Sequence, residues 1–159
     1  MAGQDDILLR VEDLKVHFSQ KKQHLFSQAS HVHAVDGVNF TVPRGKTFGL
    51  VGESGSGKTT TALAVMRLVH ITDGQVFLGD IDIGGLEGED LRRQRRHMQI
   101  IFQDPYSSLN PRVRAGDIVR EPLDQMEVGE VASRDERVGE LFRLVGLRPE
   151  QQALFPHQF

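Results

Sequence analysis

Gly52-Glu53-Ser54-Gly55-Ser56-Gly57-Lys58-Thr59 fills every fixed position of the spacing G-x-x-x-x-G-K-[ST]. These residue types in this order suit the holding of phosphate. Glycines let consecutive backbone N–H groups turn inward around phosphate oxygens, where a Cβ would obstruct the approach. A helix starting near Gly57 adds unsatisfied amides and the positive end of its dipole. The Lys58 ammonium would reach the β- and γ-phosphates of a nucleoside triphosphate, and the Thr59 hydroxyl would ligate Mg²⁺. A flexible glycine turn is the competing explanation. The setting argues against it, because the loop follows the apolar run "TFGLVG" and precedes the helical pattern "KTTTALAVMRLVH".

The flanking pattern supplies elements that could carry such a loop. Ile7/Leu9/Val11 and Leu14/Val16/Phe18 alternate as a half-buried strand does, in two short stretches. Val38, Phe40 and Val42 share a face of a second strand that closes in a turn at Pro43 and Gly45. "TFGLVG" reads as a short buried strand, and Leu63, Met66 and Val69 fall near one face of the helix behind the loop. "GQVFLGDIDIGGLEGED" predicts a further strand with glycine turns, "EDLRRQRRHM" a helix, and "QIIFQ" another buried strand. Residues 104–112, "DPYSSLNPR", form a loop by their prolines, serines and asparagine. Arg134 to Val145 predicts a final helix with Val138, Leu141, Phe142 and Val145 at i, i+3, i+4, i+7. The polar segment between Ser19 and Ser30 is read as an inserted loop.

Composition bounds the partners. With 159 residues, 38% hydrophobic and 26% charged, the chain fits one folded globular unit. No apolar run is long enough to cross a bilayer, the start "MAGQDD" lacks a secretory core, and a cytoplasmic protein is expected. Cysteine is absent, which excludes disulfides and thiolate metal sites. A net charge of -3 argues against nucleic acid as the main partner. Arg92, Arg93, Arg95 and Arg96 are accordingly read as a solvated helix face, and Asp5, Asp6 and Glu12 as ordinary surface charges. His31 and His33 share a strand face, yet no third ligand is spaced along the chain to help them, so a plain surface pair is expected rather than a metal site.

No N-K-x-D segment follows Asn39 or Asn110, as a guanine-reading protein would need. The stretch from Met98 to Leu123, "MQIIFQDPYSSLNPRVRAGDIVREPL", together with "RVEDLKVHF" and "HVHAVDGVNFTVPRGKTFGLVGESGSGKTT", resembles the ATP-binding subunit of ABC transporters, in the oligopeptide and dipeptide importer group. The resemblance covers nearly the whole chain. It implies an α/β fold: a P-loop NTPase of ABC type with an amino-terminal antiparallel β portion, incomplete at its carboxyl end. It also implies an ATP-binding domain over residues 1–159 with the P-loop at 52–59 and a Q-loop region at 103–112. By that resemblance Gly52, Glu53, Ser54, Gly55, Ser56, Gly57, Lys58, Thr59 and Thr60 hold ATP, and Thr59 and Gln103 approach Mg²⁺. Gln103 would begin the loop that leads to the membrane-docking surface, and a neutral amide suits such a place because it both donates and accepts. Phe18 falls where the family stacks an aromatic ring on adenine, although a core position for Phe18 stands as an equal alternative.

The family's remaining catalytic parts are not found in these residues. There is no L-S-G-G-Q signature, no strand of four apolar residues ending in Asp-Glu (Walker B), and no later switch histidine. "QIIFQDP", "VFLGDI" and "IGGLEG" are decoys, and "FPHQF" resembles the "YPHEF" that precedes the family's signature. The chain is therefore expected to be the amino-terminal part of a longer ATPase. Its implied partners are membrane-spanning permease subunits, which hold it on the inner face of the membrane, and a second ATPase subunit. A stand-alone non-catalytic nucleotide-binding protein, a small kinase, and an importer of nickel or another small solute are the alternatives.

Overall fold

The computed structural model describes residues 6–19, 31–104 and 108–159. The expected inserted loop, the first five residues and residues 105–107 therefore lie outside the described residues. The chain divides into two compact units, Met1–Gln99 and Ile100–Phe159.

The first unit is built on an antiparallel sheet of order β2-β1-β3-β4, comprising β1 (Ile7–Ser19), β2 (His31–Pro43), β3 (Asp73–Leu78) and β4 (Ile81–Asp82). The two apolar stretches of the opening segment belong to one strand interrupted by a bulge. Asp13 takes a left-handed φ of 45°, and its N–H donates to Asn39 Oδ1 at 2.9 Å. The extra residue shifts the pleat by one, so Val11, Leu14 and Val16 all point into the core. Gly74 packs against this bulge so closely that a Cβ would lie 2.3 Å from the Asp13 carbonyl oxygen. Gly45, with φ 70°, closes the expected turn after β2, where the Lys46 N–H donates to the Pro43 carbonyl at 3.1 Å.

Helix α1 (Lys58–Val65) buries Thr61 and Ala64, and Ala64 packs with Val11, Leu14, Val16, Val35, Ile71, Val76 and Ile83. This differs from the expected face of Leu63, Met66 and Val69, because the helix stops before completing that pattern. Arg67 adopts φ 54°, and the Leu68 N–H donates back to the Leu63 carbonyl at 2.8 Å, a Schellman-type stop. Glycine is the usual residue there; arginine is held instead by its guanidinium, which donates to the carbonyls of Ile83 and Leu86 at 3.1 and 3.0 Å. Helix α2 (Gly88–Arg95) follows, with Glu89 and Asp90 in its first turn and arginines in its last, as the dipole favours.

The expected strands "TFGLVG" and "QIIFQ" do not form ladders among the described residues. Val51 and Ile101 are each 89% exposed. Continuous apolar strands of this kind are stable when flanked on both sides by parallel neighbours. The observed sheet supplies none to either segment.

In the second unit, α3 (Ala115–Gln125) and α4 (Arg134–Leu144) pack together, with Val138 and Phe142 buried. The unit ends in short 3₁₀ turns at Pro149–Ala153 and Pro156–Gln158. Arg134, only 8% exposed, joins the two helices. Its guanidinium donates to Asp124 Oδ1 at 2.7 Å and to the carbonyls of Val128 and Gly129 at 3.1 and 3.3 Å. That hydrogen bond, with a second from Arg120, holds the Asp124 carboxyl below its ordinary range.

Candidate functional site

The glycine loop occupies residues 52–57 and ends at the first residue of α1. Gly57 is the helix N-cap, in the left-handed conformation at φ 88°, and a Cβ there would meet the Ala34 carbonyl oxygen at 2.3 Å. Two independent constraints thus exclude a side chain: the positive φ and the strand backbone beneath. Gly52 is confined from within the loop, since its Cβ would fall 2.6 Å from Ser56 Oγ. Gly55, at φ 84°, has open space where a Cβ would stand, so its requirement is conformational.

Lys58 folds back across the loop it closes. Its ammonium donates to the Gly52 and Glu53 carbonyls at 2.8 and 2.5 Å and lies 3.3 Å from Ser56 Oγ. A lysine held by oxygens of a concave glycine loop is already placed to exchange them for oxygens of a phosphate. Thr61, one turn on, bonds back to the Gly57 carbonyl through both its N–H at 2.8 Å and its hydroxyl at 3.0 Å. The side chains of Glu53, Ser54 and Thr59 are exposed, and Thr60 is half-buried. The residues fit a triphosphate with its Mg²⁺: a cradle that extra side-chain atoms would fill, a positive helix end, an ammonium and a free-standing hydroxyl.

Phe18 is 45% exposed and pairs with Val32 near the end of β1. A core position for Phe18 is therefore not what the fold uses. Because Gly57 lies beneath Ala34, two residues along β2 from Val32, Phe18 stands at the same end of the sheet as the cradle, about 7 Å further along the strand direction. Gln103 belongs to the second unit, exposed at a bend after the apolar segment 100–102. Beyond it the irregular segment is organised by Asn110, whose side-chain oxygen accepts from the Arg112 N–H at 3.0 Å. Asp135-Glu136 opens α4 and does not end a strand.

Two features escaped the sequence reading. Helix α3, which runs through Pro122, was given no element by the sequence pattern. Its signal was present in Ala115, Ile118, Val119, Pro122 and Met126, spaced by threes and fours. The second is His17, which stacks on His33 across the strands with ring centroids 3.9 Å apart. Of the arginine cluster, Arg92, Arg93 and Arg96 are exposed as expected, while Arg95 turns inward to the Arg67 carbonyl.

A phosphate cradle at the mouth of a helix, beside an antiparallel sheet, defines a P-loop nucleotide-binding domain of the ABC type. A sequence profile of the ABC transporter family matches residues 35–158, and the chain belongs to that family. It is 44% identical over 153 residues to a probable peptide ABC transporter ATP-binding protein of Sinorhizobium fredii, covering 96% of this chain and 43% of that protein. It is 38% identical over 159 residues to the oligopeptide transport ATP-binding protein AppF of Bacillus subtilis, covering 99% and 48%. The chain thus spans about half the length of the curated relatives it matches.

Among solved structures, a dimeric ATP-binding cassette in a post-hydrolysis state bound to ADP and phosphate superposes with TM-score 0.74 at 23% identity, covering 95% of this chain and 62% of that one. The protein cbiO1 of Clostridium perfringens, part of the ABC transporter complex cbiONQ, gives TM-score 0.71 at 21% identity, covering 97% of this chain and 56% of that one. Both are likenesses of fold. Among the described residues no helix is long and apolar enough to cross a membrane.

Proposed function

We propose that this chain binds Mg-ATP as the nucleotide-holding part of an ATPase subunit that drives a peptide-class ABC importer. The observation that carries the reading is the formed cradle, in which Gly57 is pinned on β2 and Lys58 is drawn over the loop. In this reading the backbone amides from Gly52 to Thr60 surround the phosphates. Lys58 neutralises the β- and γ-phosphates, Thr59 ligates Mg²⁺ through its hydroxyl, and Phe18 offers a face to adenine. Mg²⁺ supplies charge neutralisation along the triphosphate. Gln103 serves the Mg²⁺ and γ-phosphate region and begins the segment that meets permease subunits. The peptide class is supported by the names of the relatives.

A second ATPase subunit and membrane permeases complete the proposed assembly, on the inner face of the membrane. The 159 residues hold no apolar strand ending in a general-base glutamate, so binding rather than turnover is expected of them. Titration with a fluorescent Mg-ATP analogue tests the assignment. Lys58→Ala should weaken binding by about 10- to 100-fold, through loss of charge-assisted bonds to phosphate. Unchanged affinity would remove the loop from consideration. Phosphate release should stay at background for both proteins.

A further inference from the structure

The expectation that His33 belongs to a plain surface pair rested on the lack of a third ligand nearby in sequence. The sheet supplies that ligand from the neighbouring strand. The β1/β2 register sets His17 directly opposite His33. Asp36, three residues further along β2, turns its carboxylate toward both: Oδ1 lies 3.8 Å from His17 Nε2, and Oδ2 lies 3.7 Å from His33 Nδ1. One donor atom from each of the three residues falls within 4.8 Å of the others.

An unsatisfied atom points the same way. His17 Nε2 is buried yet has no hydrogen-bond partner, a state that costs free energy and calls for an explanation in a native protein. The backbone of His17 is fixed, its N–H donating to Thr72 Oγ1 at 2.8 Å. The surroundings favour a cation. Lys15 is the nearby ammonium, but Asp13 and Asp73 engage it at 2.9 and 3.1 Å, and Asp36 adds a further negative charge.

We propose that His17, His33 and Asp36 form a binding site for a divalent first-row transition cation of the Zn²⁺ class. Two imidazole nitrogens and one carboxylate suit such an ion, whereas Mg²⁺ and Ca²⁺ prefer an all-oxygen set. Tetrahedral bonds of roughly 2.0–2.1 Å hold ligand atoms about 3.4 Å apart. The two histidine–aspartate separations, 3.8 and 3.7 Å, run to different oxygens of the Asp36 carboxylate, and one donor atom from each of the three residues already lies within 4.8 Å of the others. Rotation of the exposed His33 ring out of its stack on His17, with a turn of the Asp36 carboxylate, lets the three donors converge on one ion, and water takes the remaining position. The ion would tie β1 to β2 next to Phe18, steadying the strand end that carries this ring. The site shares no ligand with the phosphate cradle, so it stands or falls separately from Mg-ATP binding.

Calorimetric titration of the metal-stripped chain with Zn²⁺ tests the proposal, and the visible absorption of bound Co²⁺ reports a nitrogen- and oxygen-ligated site. One ion per chain should bind with micromolar affinity. His33→Ala and Asp36→Asn, both at exposed positions, should each weaken binding at least about tenfold while far-UV circular dichroism remains unchanged. Lys58→Ala and His97→Ala should bind Zn²⁺ as the unaltered chain does. The proposal is overturned by binding weaker than about 100 μM, a dissociation constant outside the range of a built site. It is equally overturned by affinity that survives both His33→Ala and Asp36→Asn, or by loss of Zn²⁺ binding in Lys58→Ala.

Discussion

The apolar runs at 47–52 and 100–102 both lead into polar, chemically suggestive residues, yet the loop at 52–60 and the segment at 100–103 end up in different physical situations. The loop is determined by what surrounds it. Ala34 lies under Gly57, Ser56 lies beside Gly52, and the loop carbonyls hold Lys58, all within the first unit. The segment before Gln103 presents Ile101 and Phe102 to solvent and joins no strand ladder among the described residues. A motif whose geometry is set by backbone conformation and near neighbours can form without flanking strands. One that depends on flanking strands cannot.

The largest expected effect breaks the first side of this comparison. Gly57→Val places a β-branched side chain at φ 88° against the Ala34 carbonyl, and should lower stability by about 3 kcal/mol or more in urea unfolding of the first unit. Gly55→Ala, where the added Cβ has open space, should cost only about 1 kcal/mol. Equal costs at the two glycines would mean that the strand contact under Gly57 is not what shapes the cradle.

In the second unit the corresponding tie is Arg134. Arg134→Met removes a buried guanidinium from Asp124 and two carbonyls, and should destabilise α3 and α4 by about 2 kcal/mol. The same tie gives a pH dependence of definite sign. Asp124 is held below its ordinary carboxyl value of 3.8, first by Arg134 and then by Arg120. Its contribution is therefore complete above pH 3.8 and is lost as pH falls through the depressed value. Circular dichroism melts below pH 3.8 should show the unaltered chain losing its advantage over Arg134→Met. The smallest effect belongs to the exposed apolar segments. Ile101→Ser and Val51→Ser should each change stability by less than about 0.5 kcal/mol, where burial in a sheet would make the loss several-fold greater.

How far the fold was legible follows the same division. The two-stretch rhythm of β1 was readable, because alternation survives on each side of a one-residue bulge. The bulge itself was not, since it depends on Asn39 of β2 reaching Asp13. The start of α1 was legible from Gly57 and Lys58. Its end was not, because Arg67 can hold a left-handed stop only with the carbonyls of Ile83 and Leu86 in place. Within the candidate site, the cradle was visible as a contiguous run. The exposure of Phe18 and the pairing of His17 with His33 were not, because exposure and cross-strand register are products of the assembled sheet. Helix α3 was hidden by Pro122, although its apolar spacing was sound.

The central claim is that the loop from Gly52 to Thr60 is where this chain holds Mg-ATP. Hydrogen–deuterium exchange with and without Mg-ATP tests it at the level of single peptides. The account predicts slowed exchange concentrated in the amides of residues 52–61, abolished by Lys58→Ala. Protection confined to other segments, with exchange of the loop unchanged, would contradict it.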